Sequence, residues 1–92
     1  MKENEMIVLK KALEKFGNEA QIWQTFEEIG ELMEALNQFK RGRCAADAVI
    51  DEIADVSIMI DQLAIIFGFD KCKLQRKTKL IRLQNRLEKM EK

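Results

Sequence analysis

The chain contains no histidine. That absence removes histidine-containing zinc sites, imidazole acid–base catalysis and the carboxylate di-iron bundle, whose motif requires Glu-x-x-His. Proline is also absent and there are only four glycines, so long helices run uninterrupted. The two cysteines, Cys44 and Cys72, make no disulfide framework, and Met1 to Lys15 is polar and amphipathic rather than a secretory leader. The expectation is a cytoplasmic protein with reduced thiols. No apolar run reaches the ~18 residues of a membrane span, so no membrane partner is expected. Net charge is zero, which argues against a nucleic-acid partner.

What is present is helix-forming and apolar. Of the 92 residues, 47% are hydrophobic, enough for one small domain spanning 1–92. A chain this short buries only about 60% of its unfolded surface, so its own core is marginal. The charge is split: acids dominate from Glu19 to Asp61, whereas Lys71 to Lys92 carries nine bases against Glu88 and Glu91. This suggests an acidic, metal-binding half and a basic half suited to an anion.

Apolar periodicity predicts four helices. Met6, Leu9, Leu13 and Phe16 define the first, over residues 3–16, ended by Gly17. The second runs from 19 to about 40. Its main stripe is Ile22, Phe26, Ile29, Met33 and Leu36, and Lys40-Arg41-Gly42-Arg43 forms a basic turn after it. The third, from Ala46 or Asp47 to Phe67, is apolar nearly all round and should be buried between partners. The fourth, from about Asp70 to Lys89, is held down by Leu74, Leu80, Ile81, Leu83, Leu87 and Met90. Short turns favour antiparallel neighbours, hence an all-α, four-helix antiparallel bundle assembled as an oligomer.

The chemistry lies in two acidic stretches, Glu27-Glu28-Ile29-Gly30-Glu31 and Asp51-Glu52-Ile53-Ala54-Asp55. Residues three and four apart share a helix face, so Glu28 points with Glu31, and Glu52 with Asp55. Glu28 is in line with Leu32 and Leu36, and Glu52 with Val49, Val56, Met59 and Leu63. These acids border core stripes, where a carboxylate must be paired, protonated or metal-bound. Converging carboxylates do not neutralise one another, and a hard cation such as Mg²⁺ takes oxygen ligands. Lys79, Arg82 and Arg86 align on one side of the fourth helix, as a solvated face or an anion site. Trp23 is either a core or oligomer contact or a stacking platform for a base, and Gln21 and Gln24 have amides able to read a base edge.

Glu27-Glu28-x-x-Glu31 followed after a spacer by Glu52-x-x-Asp55 resembles the signature of MazG-like nucleoside triphosphate pyrophosphohydrolases, of the all-α NTP pyrophosphatase superfamily. Phe16-Gly17 with Gln21 resembles the lead-in to the first motif, and Lys79, Arg82 and Arg86 resemble the family's basic C-terminal helix. The likeness spans roughly residues 16–87 and lacks a clearly placed asparagine after the lysine. It implies an enzyme dependent on Mg²⁺, with Mn²⁺ as substitute, that cleaves a (d)NTP to a (d)NMP and pyrophosphate. It further implies Glu28, Glu31, Glu52 and Asp55 as metal ligands and Glu27 as the base that orients or deprotonates water, with water delivery by a metal hydroxide as the competing route. Lys79, Arg82 and Arg86 would bind the triphosphate in a homodimer or homotetramer. The alternative is a helical module that binds metal or nucleotide without turnover.

Overall fold

The computed structural model describes residues 1–91; Lys92, the last position of the expected domain, lies outside them. Four helices and no strand occur among the described residues: α1 (Glu3–Phe16), α2 (Asn18–Lys40), α3 (Ala46–Phe67) and α4 (Phe69–Met90). All four begin and end within two residues of the sequence expectation. No described helix is long and apolar enough to cross a membrane.

The joints decide the packing. Between α2 and α3 lie five residues, the upper end of the two to five that close an αα-hairpin. Gly42, at φ 71°, terminates α2 in a Schellman motif: its N–H donates to the Phe39 carbonyl at 3.0 Å and the Arg43 N–H to the Gln38 carbonyl at 2.8 Å. The hairpin that follows is antiparallel, since Gln21 meets Gln62 while Glu28 meets Glu52. α3 and α4, by contrast, are joined by Gly68 alone, at φ 125°. One residue is too short for a hairpin return, and α4 leaves the body at an angle. It packs on α3 and on no other helix among the described residues.

The all-α expectation holds, but one chain does not hold α4 down as expected: every residue from Asp70 to Glu91 is exposed, including Leu74, Leu80, Ile81, Leu83, Leu87 and Met90. Nor are the broad stripes of α2 and α3 enclosed within a single chain. Phe26, Ile29, Met33 and Leu36 are exposed, as are Ile50, Ile53, Ile58, Ile60 and Phe67. The core is instead Leu9, Leu13 and Met59, with Thr25 and Gln62 as buried polar residues. The α2 face turned to α3 is the narrower line through Gln21, Thr25, Glu28, Leu32 and Ala35. The stripe with more apolar area lost to the stripe holding the acids. The radius of gyration is 16.3 Å, against about 12 Å for a compact domain of this length.

Candidate metal centre

The α2–α3 seam is polar where it is best covered. Thr25 and Gln62 are only 5% and 4% exposed. Thr25 Oγ1 donates back to the Gln21 carbonyl at 2.8 Å, and Gln21 Nε2 donates to Gln62 Oε1 at 2.7 Å across the helices. One helical turn on, Gln24 Nε2 donates to Glu28 Oε1 at 3.0 Å. Each of these polar groups has found a partner, as burial demands.

The next level of the seam breaks that rule. Glu28 Oε2 on α2 and Glu52 Oε2 on α3 are buried with no hydrogen-bond partner. Around them the two helices bring together one oxygen each from Glu28, Glu31 and Glu52, all within 4.8 Å of one another. Asp51, Glu52 and Asp55 form a second such set, so Glu52 belongs to both. The electrostatics follow. The Glu31 carboxyl is held above its ordinary value, first by the charge of Glu28, then by burial, a hydrogen bond with Glu28 and the charge of Asp55, against a hydrogen bond with Glu52 that lowers it. Glu52 is raised first by burial, then by Glu31, Asp55, Asp51 and Glu28. The charges acting on both groups are therefore carboxylates. The cluster combines an all-oxygen donor set, like charges in close approach and two oxygens removed from water without a donor. Together these fit a hard divalent cation.

Of the four expected ligands, Glu28, Glu31 and Glu52 share one set, and Asp55 joins Glu52 in the other. The structure adds Asp51, which sequence reasoning placed in the motif without a role. Its signal was available: Asp51 precedes Asp55 by one helical turn, the spacing that already paired Glu27 with Glu31. Glu27 is exposed and belongs to neither set. Gln21 is half-buried and its amide is engaged by Gln62, so it ties α2 to α3. Trp23 is 62% exposed with its ring tilted against Phe26, centroids 5.4 Å apart. It is therefore a surface aromatic rather than core. Lys79, Arg82 and Arg86 are exposed on α4, and α4 does not reach α2 within one chain. Two open grooves, one of about 360 Å³ between α1 and α3 and one of about 540 Å³ between α3 and α4, contain no residue of the acid cluster.

No protein-family model, no curated protein and no solved structure matches the chain.

Proposed function

We propose that this chain is a Mg²⁺-dependent nucleoside triphosphate pyrophosphohydrolase. It converts a (d)NTP to a (d)NMP and pyrophosphate and works as a homo-oligomer. The observation that carries the reading is the pair of buried, unpartnered oxygens, Glu28 Oε2 and Glu52 Oε2, on facing helices inside a cluster of five carboxylates. An acidic surface formed only for solubility keeps its oxygens in water. These two have surrendered hydration, and no protein donor replaces it.

In this reading Glu28, Glu31, Glu52 and Asp55, with Asp51 beside them, hold the cation. When bound, the metal offsets phosphate charge and lowers the pKa of a water. Glu27 lies outside the cluster but one turn before Glu31, exposed and free to take the proton of the attacking water. Gln24 orients the Glu28 carboxylate through its 3.0 Å hydrogen bond. Trp23 offers an exposed ring face to a nucleobase. Lys79, Arg82 and Arg86 supply positive charge to the phosphates.

A second reading, a module that binds metal or nucleotide without turnover, is favoured by one observation: those three cations do not reach the cluster in a single chain. A panel of NTPs and dNTPs with Mg²⁺ or Mn²⁺, assayed for pyrophosphate against orthophosphate, separates the two. The enzyme releases pyrophosphate, and Glu31→Gln or Asp55→Asn abolishes release while leaving the helical content intact. Mg²⁺ also raises Tm of the wild type, because it binds the native state, and fails to raise that of Glu52→Gln. Nucleotide binding without pyrophosphate selects the module. No effect of Mg²⁺ or of any nucleotide on Tm removes both readings.

A further inference from the structure

We infer that α4 of one chain docks on the α2–α3 hairpin of a second copy, its apolar seam against the exposed apolar face of that hairpin. The inference makes the homo-oligomer of the preceding reading specific, and it does not depend on the acid cluster being catalytic.

Two unpartnered seams match. On α2, Ile22, Phe26, Ile29, Met33 and Leu36 are spaced four, three, four and three residues apart, the 3.5-residue repeat that packs against another helix. On α4, Leu80, Leu83, Leu87 and Met90 repeat at three, four and three. Except for half-buried Ile22, all are exposed, from 38% at Ile29 to 74% at Met90. α3 widens the hairpin face. Ile53 and Ile60 lie about 100° and 80° on from Glu52, as Ile29 and Leu36 lie from Glu28. In an antiparallel pair these equal offsets fall on one side of the hairpin, and Ile53 and Ile60 are 51% and 48% exposed. The lengths agree as well, 22 residues for α4 and 23 for α2.

Charge and area favour a copy of this chain over another occupant. α2 and α3 together carry ten acids against Lys40 alone, and α4 carries eight bases against Asp70 and Glu88. Within one chain these opposite charges are held apart because α4 does not touch α2. A second copy supplies each with its complement. The accessible surface is 7658 Å², whereas a compact monomer of 10.7 kDa exposes about 5,500 Å². The excess, about 2,000 Å² per chain, is ample for a stable interface, which buries about 1,200–2,000 Å² over both partners.

The test uses the full chain with Cys44 and Cys72 replaced by serine. Sedimentation at micromolar concentration is expected to give a multiple of 10.7 kDa. Leu83→Asp is expected to return it to one chain that is still helical by circular dichroism at low temperature, since Leu83 is exposed on α4 in the single chain. Two differently tagged copies, one with Met33→Cys and one with Leu83→Cys, are then co-expressed and treated with a bis-maleimide. The mixed product is expected to exceed either same-site product. A wild-type mass of one chain overturns the inference, including the case in which the monomer instead sediments with anionic vesicles through its basic helix. An oligomer that survives Leu83→Asp, or that cross-links mainly Met33 to Met33, also overturns it. Those last two outcomes leave the homo-oligomer itself standing.

Discussion

Glu31 and Glu52 carry the residue-scale consequence. Both carboxyls are raised above the ordinary value of 4.5, Glu31 mainly by Glu28 and Glu52 mainly by burial. A raised carboxyl binds its proton more tightly in the folded state than in the unfolded chain. The folded state therefore holds more protons in the interval above 4.5, and stability falls as pH rises through it. Below the unfolded value the contribution of these two groups is complete; above the folded value it is lost. Without divalent ions, Tm is expected to decline between the ordinary carboxylate range and neutrality, and saturating Mg²⁺ is expected to flatten that decline. Differential scanning fluorimetry over this range, with EDTA and with Mg²⁺, checks both. Glu28→Gln removes the largest influence on Glu31 and is expected to weaken the decline.

At the scale of the helix, two glycines behave oppositely. Gly30 lies inside α2 with ordinary helical backbone, and a Cβ there meets no atom within 4 Å. Gly30→Ala is expected to stabilise by up to about 1 kcal/mol through helix propensity alone. Gly68 is the entire α3–α4 joint, at φ 125°, and a Cβ there lies 3.4 Å from Lys71 Cδ. Gly68→Ala is expected to destabilise by more than about 1 kcal/mol, because the joint adopts a backbone that alanine resists. Urea unfolding of the two variants reads both signs. The same joint explains the exposure of α4: a single residue allows two 22-residue helices to meet at a corner, not to lie side by side.

The whole molecule is an extended body of 51 × 38 × 22 Å whose buried apolar side chains, among the described residues, are Leu9, Leu13 and Met59. A core that small leaves little stability to a lone chain. Stability that comes from association rises with concentration by mass action. Tm is accordingly expected to climb over a hundredfold dilution series read from dilute to concentrated, and to stop doing so in Leu83→Asp. A Tm independent of concentration in the wild type contradicts a core shared between copies.

How much was legible in the sequence differs between the acids and the stripes. The i, i+3 spacing of Glu28 with Glu31 and of Glu52 with Asp55 marked the cluster, because helix geometry is local and the hairpin turn is short. The helix boundaries were legible for the same reason, through Gly17, Gly42 and Gly68. Which α2 stripe would face α3 was not legible. Periodicity ranks Ile22, Phe26, Ile29, Met33 and Leu36 first, yet the hairpin turns Gln21, Thr25, Glu28 and Leu32 inward, leaving most of the stronger stripe outside. Nor did the sequence disclose that Gln21 is engaged by Gln62, forty-one positions away. Local pattern, acting through backbone geometry within a few residues, determined four helices and two aligned pairs of acids. The tertiary structure decided which faces meet, that Asp51 joins the cluster and that α4 stands clear. Those outcomes depend on the reach of the joints and on contacts between residues far apart in the chain, which no periodicity encodes.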